Sequence, residues 1–270
     1  MNGGAATHAL RLAVVGDPVA HSASPGLMRA FLADAGIAGS YEAIRVPRGS
    51  GAAAIDDLRA RGFHGLNVTT PLKEEAFARA ERRDAGASAA GSLNTLVLGE
   101  RIDGYNTDGI GAARALCEAG LATLAARYVL VLGAGPTARS ACSAFVARGA
   151  TVSVWNRTAA RVDELVRTFG VRAFEARARY DAVFAALPPG ATIDDATVRG
   201  AILATPVFVD ANYGPRATLA ASLGRGGADG LTMLRHGAAA AFAIWLRAWR
   251  PAATPGAGGG EGEIRTPETF

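Results

Sequence analysis

The chain has few cysteines, few aromatic residues and no long apolar segment, and these absences exclude several classes of protein. Its two cysteines, Cys117 and Cys142, form no Cys-x-x-Cys pair and have no histidine-rich neighbourhood, so we predict neither a disulfide framework nor a metal site. No run of 18 apolar residues occurs, and residues 1–9 lack the basic start and apolar core of a secretion signal. We therefore expect a cytoplasmic protein without a membrane span.

The composition is that of a folded protein with a large core. With 270 residues and 50% hydrophobic content, the chain can form one large domain or two small ones. The net charge of +4 comes from arginines scattered along the chain and not from a basic block, so no nucleic-acid partner is predicted. A small anionic ligand suits this charge balance. The sequence leaves the oligomeric state open between a monomer and a homodimer.

The first half of the chain alternates between predicted strands and helices, which favours an α/β layer with a mostly parallel sheet. Pro25 marks the start of the first helix, with Ser24 as a possible N-cap, and another helix follows Pro71. The remaining elements are strands at 10–15, 41–46 and 63–68, a helix at 52–61, and a hairpin formed by 93–98 and 101–105.

Near residue 120 the alternation starts again. A strand at 128–132, a glycine turn, a helix to residue 148 and a strand at 151–155 have the length of one βαβ unit. Further strands are predicted at 181–187, 207–211 and 228–231. A final helix at 232–249 has an apolar face, so it must pack on another element. Residues 251–270 cannot form a core, and we predict a disordered tail there.

The glycine turn, Gly133-Ala134-Gly135, followed by Thr137, predicts a phosphate site. Glycines after a strand allow backbone N–H groups and a helix N-terminus to approach a pyrophosphate. The alternative is a tight turn without a ligand, because the third glycine of the usual pattern is missing.

The end of the next strand indicates which dinucleotide would bind. NAD-binding units carry an acidic residue there, whereas this chain has Asn156, Arg157 and Thr158, with Arg161 one turn later. Arginine and threonine suit a 2′-phosphate, so we predict NADP, with NAD as the alternative. A structural interpretation is that Thr158 caps the next helix and the arginines are solvated.

Polar residues collect in the loops of the first half. Ser22 and Ser24 could bind a carboxylate, although capping of the helix by Ser24 explains the pair equally well. Asn67 and Thr69 share one side of a strand that leads to Lys73. Such groups at strand ends are typical of ligand sites in open α/β sheets.

Two further polar residues lie at the ends of the predicted hairpin. Asn94 opens one strand, and Asp108 lies at a strand-to-helix junction, where it could also be a simple N-cap. A lysine near an aspartate, beside a hydride acceptor, can relay a proton from an alcohol. The Tyr-x-x-x-Lys spacing of short-chain reductases is absent around Tyr105, Tyr128 and Tyr180.

Together these motifs resemble the shikimate dehydrogenase family, in the family's order, from about residue 10 to residue 249. The matching segments are Gly16-Asp-Pro-Val-Ala-His-Ser-Ala-Ser-Pro25, Asn67-Val-Thr-Thr-Pro-Leu-Lys73, Gly91-Ser-Leu-Asn-Thr95, Gly104-Tyr-Asn-Thr-Asp-Gly109, Asn156-Arg-Thr158 and Asp210-Ala-Asn-Tyr-Gly-Pro215.

The resemblance implies an NADP-dependent enzyme that interconverts 3-dehydroshikimate and shikimate, a step in aromatic amino acid biosynthesis. Lys73 and Asp108 would then be catalytic. The substrate would be bound by Ser22, Ser24, Asn67, Thr69, Asn94 and Asp108, and the cofactor by Gly133, Ala134, Gly135, Thr137, Asn156, Arg157, Thr158, Arg161, Leu187, Tyr213 and Gly230.

The resemblance also implies the domain organisation. A substrate domain would comprise residues 1–110 and 236–250, because the last helix packs back on it, and a Rossmann NADP-binding domain would comprise residues 111–235.

Three departures from the family pattern keep alternatives open. Pro136 and Thr137 replace part of the glycine-rich turn, and Ala185-Ala186-Leu187 stands where the family has Asn-Ala-Thr near the nicotinamide, so two polar side chains are missing. Gly237 stands where the family has a glutamine that contacts substrate. The alternatives are therefore a paralogue that acts on quinate or an aminoshikimate, or a weakly catalytic ligand-binding homologue.

Overall fold

The computed structural model describes residues 9–176 and 179–249 and contains two sheets with helices packed on them. The first sheet has six strands: β1 (Leu10–Gly16), β2 (Gly39–Arg45), β3 (Gly65–Val68), β4 (Arg82–Arg83), β5 (Thr95–Leu98) and β6 (Ile102–Tyr105). The helices of this half are α1 (Ser24–Asp34), α2 (Gly51–Ala60), α3 (Lys73–Arg79), α4 (Ala85–Ala90) and α5 (Asp108–Glu118).

The first sheet is mixed, with the strand order β2-β1-β3-β5-β6-β4. β1 pairs in parallel with β2 and β3, whereas β3, β5 and β6 pair antiparallel. Because β1 and β3 are parallel neighbours, the loops that follow them lie side by side, and Asp17 N donates to Thr70 O over 3.0 Å. These adjacent loops carry the serines and the lysine singled out in the sequence.

The second half forms a five-stranded parallel sheet in the order β11-β10-β7-β8-β9. Its strands are β7 (Tyr128–Leu132), β8 (Thr151–Trp155), β9 (Arg172–Ala173), β10 (Ala182–Ala185) and β11 (Val207–Asp210). Its helices are α6 (Pro136–Val146), α7 (Ala159–Phe169), α8 (Ala196–Ala204) and α9 (Leu219–Ser222). β8 lies on one side of β7 and β10 lies on the other. The point at which the strand order reverses, where open α/β sheets bind ligands, is therefore at the end of β7, beside the turn at Gly133.

The last helix, α10 (Leu231–Ala248), connects the two halves. Near its start, Met233 belongs to the core of the second sheet. Near its end, Phe242 and Trp245 belong to the core formed by β1 and α1, and Trp245 Nε1 donates to Leu96 O over 2.8 Å. The prediction that this helix returns to the N-terminal domain is confirmed.

Most predicted elements are present within a few residues of their expected bounds, with three differences. Ala228–Leu231 is not a strand, because Ala228 makes one bridge to Val209 and the helix begins at Leu231. Ser24 is the first residue of α1 and caps nothing with its side chain. The elements β4, α4, β9, α8 and α9 were not predicted.

Two further predictions concern the C-terminal tail and membrane-spanning helices. The predicted tail at 251–270 falls outside the described residues. Across residues 9–176 and 179–249, no helix combines the length and the apolar character needed to cross a membrane.

Candidate active site

The predicted catalytic residues, Lys73 and Asp108, form an ion pair. Lys73 is the first residue of α3 and Asp108 is the first residue of α5, so each side chain projects from a helix start beside the first sheet. Lys73 Nζ contacts Asp108 Oδ2, and the two side chains are only 11% and 15% exposed. The two residues are 35 positions apart in the sequence, and they meet because both helices begin after strands of one sheet.

Asn94 and Thr107 hold the Asp108 carboxylate. Asn94 Nδ2 donates to Asp108 Oδ1 over 2.7 Å and to Thr107 Oγ1 over 2.9 Å. In return, Thr107 N donates to Asn94 Oδ1 over 2.8 Å. Burial strengthens these hydrogen bonds, because the interior has a low dielectric constant. A group that lost its partner there could not bond to bulk water instead. The arrangement therefore fixes the direction of the carboxylate toward Lys73.

Asn67 is held in the same network from the other side. Its Nδ2 donates to Asn94 O over 3.2 Å, and its Oδ1 accepts from the hydroxyl of Tyr41 over 2.6 Å. Burial raises the pKa of the Tyr41 phenol, so the phenol stays protonated and acts as a donor. Sequence reasoning missed Tyr41, whose only signal was its position in a predicted strand. Thr69 follows Asn67 and lies against Gly16.

The serine loop carries Ser22 and Ser24 to the same region. Ser22 Oγ accepts from Ser24 N over 3.2 Å, a hydrogen bond that supports the turn before α1, whose N-cap residue is Ala23. Between the serines, Ala23 N donates to the hydroxyl of Tyr213 over 3.3 Å. Tyr213, predicted as a cofactor residue, thus extends from the second half of the chain to this loop.

A cleft of about 220 Å³ opens between the loops of the two sheets. One wall is formed by Asp17, Pro18, Thr69 and Thr70, and the opposite wall by Ala211, Asn212, Tyr213 and Arg216. The cleft suits a small polar molecule rather than a polymer.

The glycine turn between β7 and α6 has the geometry of a phosphate cradle. Gly133 adopts φ +112°, and a Cβ there would lie 2.6 Å from Ala186 O, so only glycine fits. The position of a Cβ on Gly135 has no heavy atom within 4 Å. No side chain caps α6, so the backbone N–H groups of its first turn, including that of Thr137, are available to an anion.

Exposed cations follow β8. Arg157, Thr158 and Arg161 are exposed, and within the described residues neither arginine has an acidic partner. Thr158 occupies the N-cap position of α7, yet its side chain makes no capping bond. Asn156 Nδ2 donates to Thr158 O over 3.2 Å, which supports the loop. These residues fit the 2′-phosphate of NADP, which two guanidinium groups and a hydroxyl can bind.

The other predicted cofactor residues meet around Asn212. Its Nδ2 donates to Leu187 O over 2.9 Å, and its backbone carbonyl oxygen accepts from Gly230 N over 2.8 Å. Gly230 lies so close to Ala211 that a Cβ would come 2.2 Å from Ala211 O. Asn212 therefore joins two loops at the edge of the cleft, a role that sequence reasoning did not assign. Ala134 lies inside the glycine turn and is half-buried.

The fold and the site define a class of protein. A parallel Rossmann sheet with a glycine turn faces a second α/β domain that supplies a lysine–aspartate pair, which is the construction of a two-domain, NADP-dependent oxidoreductase.

The chain belongs to the shikimate dehydrogenase family. Residues 14–96 match the model of the shikimate dehydrogenase substrate binding domain, and residues 115–187 match that of shikimate/quinate 5-dehydrogenase. The protein named shikimate dehydrogenase (NADP(+)) from Acidiphilium cryptum is 38% identical, over 88% of this chain and 91% of the relative. The one from Cupriavidus necator is 34% identical, over 91% of each chain.

The fold is also that of solved members of the family. Shikimate 5-dehydrogenase from Thermus thermophilus, determined in complex with NADP(H) and shikimate, superimposes with a TM-score of 0.77. It is 34% identical, and the match covers 90% of this chain and 95% of that one.

Proposed function

We propose that this protein interconverts 3-dehydroshikimate and shikimate with NADP, as a step of the shikimate pathway, and that Lys73 and Asp108 move the proton of the reacting hydroxyl. The observation that carries the proposal is the Lys73–Asp108 ion pair, held by Asn94 beside the serine loop and the cleft. The relatives named for this activity cover about nine-tenths of the chain.

The use of lysine at position 73 supports the role independently. The chain has 28 basic residues, and Lys73 is its only lysine. A guanidinium keeps its proton at all physiological pH values, whereas a lysine amine can release and recover one. In this chain arginine therefore provides the fixed positive charges, and the one lysine lies at the position where a proton is transferred.

The residues of the site divide the chemistry between them. The hydroxyls of Ser22 and Ser24 bind the substrate carboxylate, and Asn67, Thr69 and Asn94 orient its ring hydroxyls. NADP, when bound at the glycine turn and at Arg157, supplies the hydride acceptor or donor. Lys73 Nζ, after releasing a proton to solvent, accepts the hydroxyl proton as a neutral amine during oxidation, and as an ammonium it returns the proton during reduction. The Asp108 carboxylate stabilises the ammonium form of Lys73.

The test exchanges the two kinds of basic residue. Lys73→Arg keeps a positive charge beside Asp108 but cannot transfer a proton, so we expect kcat for shikimate oxidation to fall by about 100-fold or more, within the usual range for a general acid or base. Arg79→Lys, on the same helix, is the matched control and should keep wild-type kcat. Activity of Lys73→Arg close to that of the wild type would contradict the proton-transfer role.

A second candidate function is favoured by Gly237. A Cβ on Gly237 would be in van der Waals contact with Thr107, 3.5 Å from Thr107 O, so the glutamine side chain expected from the family pattern is missing next to the residue that precedes Asp108. Quinate or an aminoshikimate is the corresponding substrate. Measuring kcat/KM for shikimate and quinate, with Lys73→Ala as the blank, decides between them. NADP binding without turnover of either acid would instead indicate a ligand-binding homologue.

Other features stay predictions. The boundaries 1–110 with 236–250, and 111–235, are supported by the change of core along α10 between Met233 and Ala238. Limited proteolysis followed by mass spectrometry tests them. A cytoplasmic location, a monomeric or homodimeric state and the absence of a nucleic-acid partner are also proposed. Cell fractionation tests the location, and light scattering tests the oligomeric state.

A further inference from the structure

The middle of α6 packs against the start of α5, where Asp108 lies. Gly109 has no side chain there, and a Cβ on it would come 2.7 Å from Ser140 O and 2.7 Å from the Ala144 methyl carbon. Beside Ser140 on the same helix, Arg139 Nε donates to Ala90 O over 2.7 Å. The helix that begins at the predicted cofactor turn thus contacts the substrate domain directly.

A chain of hydrogen bonds crosses this contact. Ser140 Oγ donates to Pro136 O over 2.9 Å and accepts from Asn106 Nδ2 over 2.8 Å. Asn106 Oδ1 accepts from Asp108 N over 3.1 Å, and its Nδ2 also donates to Ser92 O over 2.9 Å. Ser140 is 3% exposed and Asn106 is 8% exposed, so water does not compete for these groups.

The chain of bonds joins two parts that must keep a fixed separation. Pro136 follows the glycine turn that would hold the dinucleotide, and Asp108 belongs to the pair that would act on the substrate hydroxyl. Hydride transfer needs reacting atoms about 3 to 3.5 Å apart, and a displacement of about 1 Å can lower the rate about 100-fold. The groups that hold the two domains together at this point therefore bear on the reaction.

We propose that Ser140 and Asn106 are positioning residues, which fix the Asp108 carboxylate relative to the cofactor-binding turn. Both act through other groups, Ser140 through Pro136 O and Asn106 through Asp108 N. The inference rests on the proposed function for its kinetic consequence, and on these hydrogen bonds for its geometry.

The kinetic test compares two serines of α6. Ser140→Ala removes the hydrogen bond between Ser140 and Asn106, and we expect kcat for shikimate oxidation to fall roughly tenfold, with KM for shikimate and NADP changed less than about twofold. Ser143→Ala, one turn away in the same helix, is the matched control and should keep wild-type constants. Asn106→Ala should lower kcat at least as much, and adding Ser140→Ala to it should cause little further loss.

A second measurement needs no cofactor. Because Lys73 is the only lysine, an amine-acylating reagent modifies it and, separately, the N-terminal amine, and mass spectrometry distinguishes the two. A less firmly held Asp108 leaves Lys73 more reactive, so we expect faster acylation of Lys73 in ligand-free Ser140→Ala than in the wild type or Ser143→Ala. Equal acylation, a kcat equal to that of Ser143→Ala, or additive losses in the double variant would each overturn the proposal. If the wild type does not oxidise shikimate, the proposed function fails, while the acylation comparison still tests the positioning role.

Discussion

Asn94 uses both amide hydrogens inside the site, one on Thr107 and one on Asp108. Each member of this buried network would be costly to leave unpaired, by about 1 to 3 kcal/mol for a neutral group and more for a charge. The cost of breaking the network keeps Asp108 directed at Lys73. At the scale of single residues, the site is therefore preorganised before a substrate enters.

Arg157 should decide between the two dinucleotides. Its guanidinium is exposed and has no acidic partner among the described residues, so a 2′-phosphate can pair with it. A hydrogen bond to a charged group contributes about 1.5 to 3 kcal/mol. We expect Arg157→Ala to raise KM for NADP roughly 10-fold to 100-fold and to leave KM for NAD unchanged. Steady-state kinetics with both cofactors measure this, and Arg167→Ala, in the helix α7 that follows Arg157, is the control. Equal effects on both cofactors would contradict the assignment.

Gly237 offers a prediction about specificity. Glycine within a helix costs about 1 kcal/mol relative to alanine, so Gly237→Ala should raise the free energy of unfolding by about that amount. Gly237→Gln should stabilise the helix similarly and add an amide beside Thr107, which we expect to raise kcat/KM for shikimate about fivefold, the equivalent of one hydrogen bond.

The alanine variant separates the two effects. It should stabilise the protein, as followed by thermal unfolding, without improving shikimate kinetics. A fall in shikimate kcat/KM in Gly237→Gln would show that the space beside Thr107 is already used by the substrate.

At the scale of elements, glycines set how closely α5 approaches its neighbours. Gly109 faces α6, and Gly111, two residues later, faces α10, where a Cβ would lie 2.3 Å from Met233 O. A backbone atom cannot move aside alone, so a side chain at Gly111 would push the two helices apart. This close packing connects the helix that carries Asp108 with both domains.

Gly111→Ala should therefore destabilise the protein, although alanine favours helices. Overpacking typically costs about 1 to 3 kcal/mol, which exceeds the gain of about 1 kcal/mol in helix propensity. Chemical denaturation followed by circular dichroism measures the change. Gly26→Ala in α1 is the control, because the Cβ there meets nothing within 4 Å and should be neutral or stabilising. A stable Gly111→Ala variant would contradict the close approach of α5 and α10.

At the scale of the whole molecule, a charged cluster links the two helices that pass between the domains. Glu118 at the end of α5 accepts from His236 Nε2 over 2.5 Å and pairs with Arg235 over 2.8 Å, both on α10. Adjacent helical residues lie about 100° apart, which predicts different contacts for Arg235 and His236, yet both contact Glu118. The hydrogen bond from His236, with the charge of Arg235, holds the pKa of Glu118 below its usual value.

This cluster should make stability depend on pH. A carboxyl whose pKa is lowered by folding stabilises the protein above its unfolded pKa, about 4.3, and the contribution disappears as the pH falls through the folded pKa. For a pair this exposed we expect Glu118→Gln to lower the melting temperature by about 1 to 3 °C at about pH 7, and the difference to shrink as the pH falls below the unfolded pKa of about 4.3.

Thermal unfolding between about pH 3 and pH 8 measures this dependence. Asp57→Asn is the matched control, because Asp57 pairs with Arg61 within one exposed helix and should show almost no effect at any pH. A difference for Glu118→Gln that persists unchanged to the acid end of this range would contradict the role of its charge.

Local patterns were sufficient for most elements and for the ligand loops. Residues close together in the sequence determine the alternating strands and helices, the turn at Gly133 and the motif at Lys73, so these features could be predicted without coordinates. Short elements could not, because the two residues of β4 and the six small residues of α4 carry no periodicity. The segment at Ala228 contacts a strand but is too short to be one, and its sequence cannot show that difference.

The sequence by itself determined the class of chemistry, since a sole lysine, an aspartate, a serine pair and a cation-rich strand end are properties of residue type and order. Tertiary structure alone decided which of these groups touch. Lys73 and Asp108 are 35 residues apart, Ser140 and Asn106 are 34 apart, and Glu118 and His236 are 118 apart. Such distant pairs depend on strand order, helix packing and the return of α10. These features are set by the whole chain, because folding buries apolar surface and pairs buried polar groups across all of its elements together.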